Sequence, residues 1–292
     1  MARRIPRRLF GILVLLTSLA PIWIASGGRA FADANESPGL YLVGVGPGDP
    51  DLMTLRAVKA IERADVLFAL ESFREKFAPY LEGKEVHYGF WRLFPYYGQD
   101  PAELEGEERR QCERIAGRRD QFIATIRGAI RDGKTVAILD SGDPLIYGPY
   151  AWCLEEFEDL KPVVVPGLSC FNAANAALRT GITTSENTKS VILTAADWPG
   201  KTDTIEKLSV HGSTMVVFTM RTEFNEFIEK LSIHYPPETP VAIVQHAGYA
   251  DREEVIRGTL GTISDRVGPE RLPFEYLIYV GDFLVYRYKK AE

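Results

Sequence analysis

Short apolar runs recur along this chain, and helical patterns separate them. Four such runs, at residues 40–45, 66–70, 135–139 and 161–165, read as strands. The segment after the first run places Leu55, Val58 and Ile61 at helical spacing, which predicts an amphipathic helix. A polar stretch at residues 179–189, RTGITTSENTK, breaks the periodicity and reads as a linker. Five more strand-like runs follow, at 190–194, 214–218, 241–244, 255–257 and 276–280. The pattern is that of an α/β protein and is compatible with two α/β domains, residues 39–180 and 189–292. No internal repeat or low-complexity tract interrupts it.

The loops after these runs carry the candidate chemistry. LDSGDPLIYG, residues 139–148, runs from a strand through Ser141-Gly142-Asp143-Pro144 into an expected helix. Gly142 permits close approach of the backbone to a ligand, and Pro144 stiffens the turn. A loop at the carboxyl end of a strand is where open α/β sheets hold small molecules. Turns of this composition also occur for structural reasons alone. YLVGVGPGDP, residues 41–50, is a second strand followed by a glycine-rich turn. It departs from the GxGxxG dinucleotide fingerprint, because position 49 is Asp and Pro47 sits inside the turn. VVVPGLSCFNAA places Ser169 where it caps an Ala-rich helix. TPVAIVQHA, residues 239–247, is the fourth segment.

Taken in this order and spacing, GVGPGDPDLMTLRA, SGDPLIYG, VVPGLSCFNAA and TPVAIVQHA resemble the tetrapyrrole methylases, class III methyltransferases that use S-adenosylmethionine. The resemblance covers Gly39 to the C-terminus. Within the family, the motifs look most like the cobalt-precorrin-4 C11-methyltransferase branch. It implies two α/β domains with the cofactor in the cleft between them, a tetrapyrrole substrate and a homodimer. Carried over residue by residue, it puts the cofactor against Pro47, Ser141, Gly142, Asp143, Ile146, Ser169, Cys170, Met220 and Ala247. Met220, after the apolar run MVVF, also fits a plain core position. The RNA-methylating and diphthine branches fit less well, the first for want of a basic tract and the second because it acts in the cytosol.

Methyl transfer from a sulfonium needs mainly alignment of the two reactants, and a base helps where the acceptor carbon loses a proton. The uroporphyrinogen-methylating branch has an Asp proton acceptor shortly after the second strand. The matching position here is Leu70, a departure from that branch. The catalytic residue is therefore not fixed by the resemblance. Asp49, Glu71 and His246 are the candidates, although Glu71 and Arg74 also read as a solvated helix start. His246, beside Ala247, is a titratable group suited to neutral pH. Cys112, Cys153, Cys170 and the four histidines lack metal-ligand spacing, so no metal is expected. The aromatic group Phe90, Trp91, Phe94, Tyr96 and Tyr97 suits either a macrocycle edge or packing, at a dimer contact or on its own domain. EGEERRQCERIAGRR reads as a solvated helix face.

Residues 1–32 combine a basic start, an apolar stretch from Leu9 to Ile24 and Ala30-Phe31-Ala32, the pattern of a signal peptide. Residues 33–38 are then a short linker. Arg7-Arg8-Leu9-Phe10 resembles a twin-arginine signal, so export machinery is an expected partner. An uncleaved anchor would also place the domains outside the cytoplasm. Removing residues 1–32 takes away five arginines and no acids, and net charge moves from −6 to −11. Such an acidic chain repels nucleic acid. Export sits awkwardly with a cytoplasmic cofactor. Three readings follow: an exported or membrane-associated methyltransferase, an exported tetrapyrrole-binding protein without turnover, or a cytoplasmic enzyme with a vestigial signal.

Overall fold

The computed structural model describes residues 39–219, 224–268 and 272–288. The expected signal peptide, the linker at 33–38 and Met220 lie outside the described residues. Two five-stranded sheets form within one compact unit, residues 38–292.

The first sheet contains β1 (Leu40–Gly44), β2 (Val66–Ala69), β3 (Glu85–Tyr88), β4 (Val136–Asp140) and β5 (Val163–Val165). Its order is β3-β2-β4-β1-β5, and every pairing is parallel. β1, β2 and β4 are buried along their whole length, which is why they read as continuous apolar runs. On one face, Val43, Leu67 and Leu139 pack against Ala57 and Ile61 of α1 (Leu55–Arg63) and Phe73 of α2 (Phe73–Lys76). Phe77 and Leu81, beside and within α3 (Ala78–Leu81), complete that layer. On the other, Leu42, Phe68 and Ile138 pack against Phe122 and Ile126 of α4 (Gly106–Arg131). Leu55 departs from the expected stripe: it is 81% exposed, and Ala57, Ala60 and Ile61 form the buried face instead.

The second sheet contains β6 (Val191–Ala195), β7 (Thr214–Phe218), β8 (Pro240–Gln245), β9 (Glu254–Thr259) and β10 (Tyr276–Val280). Its order is β6-β7-β10-β8-β9, with only β6 and β7 parallel. One face is covered by α7 (Ile205–Ser209), α8 (Phe224–Leu231) and α9 (Ile263–Val267) through Ile205, Phe227 and Ile263. The other receives α6 (Cys170–Leu178), whose Ala173, Ala174 and Leu178 meet Val216, Val244 and Tyr279. α6 follows β5 of the first sheet, so one helix ties the two sheets together. The polar 179–189 segment is also fastened: Ser185 is buried, and its hydroxyl accepts from the Asn187 and Thr188 amides.

Two further expectations need correction. No strand is expected at β3, because Glu85 and His87 interrupt its apolar residues; pairing with β2 alone makes it an edge strand. The helix expected directly after SGDPLIYG is instead a series of turns, and the four-residue α5 (Cys153–Glu156) begins only at Cys153. Pro144, Pro149 and the left-handed Tyr147 (φ 59°) exclude a helix across that stretch.

Candidate functional site

The loops at the carboxyl ends of β1, β4 and β5 meet at three glycines. A Cβ on Gly44 would fall 2.6 Å from both the Gly142 carbonyl oxygen and the Gly167 nitrogen. One on Gly167 would fall 2.1 Å from the Gly142 oxygen. Backbone bonds exchanged between Gly46 and Gly142, at 3.3 and 3.0 Å, pin the first loop to the second. Gly142 itself adopts φ 78°, and a Cβ there would stand in van der Waals contact with the start of α6, 3.8 Å from the Leu168 carbonyl oxygen and 4.0 Å from the Cys170 nitrogen. The residues form a close backbone junction at the start of α6. Ser169 caps that helix as expected, its hydroxyl accepting from the Phe171 amide while Asn172 Oδ1 accepts from the Ser169 amide.

The second sheet closes the other side. Gly48 lies so near Gly248 that a Cβ would fall 2.1 Å from the Gly248 carbonyl oxygen. The Asp49 amide donates to that carbonyl at 2.9 Å, and Asp49 Oδ2 accepts from the Ala250 amide at 2.8 Å. Asp49 therefore holds the turn after β8. Tyr147 reaches over to Phe218 at the end of β7, with ring centroids 4.5 Å apart. Pro47, Gly142, Ser169, Cys170 and Ala247 thus gather at one junction. Ser141 and Ile146 lie exposed on the loop beside it, and Asp143 Oδ1 accepts from the Leu145 amide to shape that loop.

Glu71 does not join them. It is exposed and bound to Arg74 Nε at 2.8 Å, the solvated helix start expected from the sequence. His246 does border the junction, with Nδ1 3.2 Å from Glu275 Oε2. The aromatic segment packs on its own sheet: Phe90 lies against Phe68 and Phe122, and Tyr97 against Trp152. Arg119 ends the charged run but is buried, donating to the carbonyls of Leu93, Pro95 and Tyr96. The rest of that run is solvated, with Arg109–Glu113 and Arg110–Glu107 pairs. Among the described residues, no three His, Cys, Asp or Glu side chains gather as a metal site.

Sequence reasoning missed Asp140. It is fully buried at the end of β4, immediately before Ser141, and neither carboxyl oxygen has a hydrogen-bond partner among the described residues. The Ser141 and Tyr150 amides pull its pKa down without meeting hydrogen-bond geometry, and burial outweighs them, raising it to about 8. Asp140 is a neutral acid under the SGDPLIYG loop at neutral pH. An Asp at a strand end is the only sequence signal, and it is indistinguishable from a turn residue.

The tetrapyrrole (corrin/porphyrin) methylase family model matches residues 39–264. The chain is 33% identical over 258 residues to the cobalt-precorrin-4 C(11)-methyltransferase of Methanocaldococcus jannaschii, covering 85% of this chain and 89% of that one. It is 28% identical to the uroporphyrinogen-III C-methyltransferase of Bacillus subtilis, covering 86% and 92%. Among solved structures, a cobalt-precorrin-4 methyltransferase superposes with a TM-score of 0.66 at 27% identity, covering 84% of this chain and 95% of that one. A Thermus thermophilus uroporphyrin-III C-methyltransferase complexed with S-adenosylhomocysteine shares the fold, with a TM-score of 0.58 at 19% identity, covering 85% and 99%. The glycine junction, the two sheets and these matches agree: the chain belongs to the tetrapyrrole methylases, enzymes that use S-adenosylmethionine.

Proposed function

We propose that this chain methylates a ring carbon of a precorrin-4-type tetrapyrrole, with the cofactor at the glycine junction. The observation that carries the placement is the side-chain-free backbone at Gly142, set against the first turn of α6. In that turn the Phe171 amide is satisfied by the Ser169 hydroxyl and the Asn172 amide by the Ser169 carbonyl, while the Cys170 nitrogen lies 4.0 Å from the Gly142 Cβ position. A helix N-terminus with an amide to offer suits the carboxylate of the methionine moiety. Asp143 and Ser141 are read as partners of the cofactor's polar groups, and the family resemblance gives Ile146 and Met220 to its adenine. When bound, S-adenosylmethionine supplies an electrophilic methyl group. The chain's own contribution is alignment and exclusion of water from a junction closed by Gly48, Gly248 and the Tyr147–Phe218 contact.

The precorrin-4 acceptor is supported by the 33% identity to the archaeal C(11)-methyltransferase and by Leu70 in place of an acidic residue. The test is incubation of the full chain with methyl-labelled S-adenosylmethionine and precorrin-4 or its cobalt complex, with the label located by NMR. Label at C11 is expected. Cofactor binding without any transfer would overturn the assignment and favour a binding protein that keeps the fold. We further propose that residues 1–32 direct export, on the strength of their basic, apolar and Ala-Phe-Ala succession. Fractionation of the expressing cell should find the chain outside the cytoplasm with Asp33 at its N-terminus. Recovery in the cytoplasm with Met1 intact would refute it.

A further inference from the structure

Four side chains from three segments form one hydrogen-bonded series beside the junction. Lys76, the last residue of α2, donates from Nζ to the Tyr249 hydroxyl at 3.2 Å. That hydroxyl donates to Glu275 Oε1 at 3.4 Å, and Glu275 Oε2 meets His246 Nδ1 at 3.2 Å. The main chain fixes the same partners: the His246 amide donates to the Glu275 carbonyl at 2.8 Å, and the Tyr249 amide to the His246 carbonyl at 3.1 Å. His246 is held in the left-handed region at φ 48°, which only an over-determined turn sustains.

The series fixes the chemistry of the imidazole. A carboxylate only accepts, so the ring hydrogen sits on Nδ1 and the lone pair on Nε2. Nε2 has no hydrogen-bond partner among the described residues, and the side chain is 25% exposed. Burial raises the pKa of the Cys170 thiol, and the Glu275 charge adds a smaller push in the same direction. Around the ring stand Glu275 ahead of β10 and Tyr249, edge-on at 6.1 Å, in the turn after β8. Behind Tyr249 lie Arg252, 3.9 Å over its ring, and Lys76, whose pKa burial lowers against the pull of Glu275 and Asp49. Asp49 is engaged by the Ala250 amide.

We propose that His246 Nε2 accepts the proton that the tetrapyrrole releases on methylation, and that Glu275, Tyr249 and Lys76 are positioning residues for the imidazole. The inference rests on the methyl-transfer reading above. In the step, the acceptor carbon forms a bond to the methyl group as the sulfur–methyl bond breaks toward sulfur, leaving S-adenosylhomocysteine. The methylated carbon is then fully substituted, so the cationic ring system loses a proton from a neighbouring C–H or N–H to Nε2, and the electron pair of that bond restores the ring conjugation. The positive charge of the sulfonium ends on the imidazolium, beside the Glu275 carboxylate.

The experiment combines turnover with a direct view of the ring in the full chain. His246→Ala should lower kcat by about 10²–10⁴-fold, leave S-adenosylhomocysteine affinity unchanged, and recover activity with added imidazole. His246→Gln should bind equally well without recovery. In ¹⁵N NMR of the wild type, the His246 hydrogen should lie on Nδ1. Glu275→Gln should mix the two tautomers, and Lys76→Met should do so less. Turnover by His246→Ala within about threefold of wild type overturns the proposal, as does loss that imidazole does not restore. A wild-type hydrogen on Nε2 overturns it as well. If the wild type transfers no methyl group, the reading above fails, and the NMR spectrum alone decides how the ring is held.

Discussion

A buried carboxyl without a partner is costly when ionised, and Asp140 avoids that cost by staying protonated. The unfolded side chain ionises near about 3.9, whereas the folded one keeps its proton to about 8. Between those values the folded chain binds the extra proton, so this residue makes stability fall as pH rises. Asp140→Asn should abolish that slope. Calorimetric Tm values should agree with wild type near pH 4 and exceed them near pH 8; an identical pH slope in both proteins would contradict the assignment. The Asp143 carboxylate shapes its loop by accepting from the Leu145 amide. Asp143→Ala should cost about 0.5–1.5 kcal/mol of stability yet remove most of the cofactor affinity. Retained affinity for S-adenosylhomocysteine would exclude Asp143 from the site.

Single elements explain what was legible in the chain and what was not. β1, β2 and β4 declare themselves because burial on both faces demands apolar residues at every position. β3 hides because one edge and a half-exposed face admit Glu85 and His87. The loops at Gly46, Gly142 and Ser169 were readable from Gly, Pro and capping residues, whose effects are local. Contacts such as Lys76–Tyr249, 173 residues apart, and Asp49–Ala250, 201 apart, leave no periodic trace. The same holds for Arg119, which the charge pattern assigns to solvent. α4 instead aims its guanidinium into three loop carbonyls. Arg119→Met should leave those carbonyls unpaired and cost about 2–4 kcal/mol, seen as a lower denaturation midpoint in urea. A midpoint unchanged from wild type would show that solvent satisfies the loop.

On the scale of the whole molecule, two sheets of different construction are held together by backbone contacts too close for side chains. α6 leaves the first sheet and packs on the second, and Gly48 meets Gly248 with no room for a methyl group. The junction is therefore set by glycine, and the proposed cofactor site depends on its geometry. Gly48→Ala should force the sheets apart locally and weaken S-adenosylhomocysteine binding by at least about tenfold, which is about 1.4 kcal/mol. The most direct measurement is a calorimetric titration of the full wild-type chain with S-adenosylhomocysteine, repeated with Gly48→Ala and Gly142→Trp. The structure predicts micromolar binding at one site per chain, weakened in the first variant and lost in the second while both remain folded. Absence of binding by the folded wild type, or equal binding by all three proteins, would contradict a cofactor site at this junction.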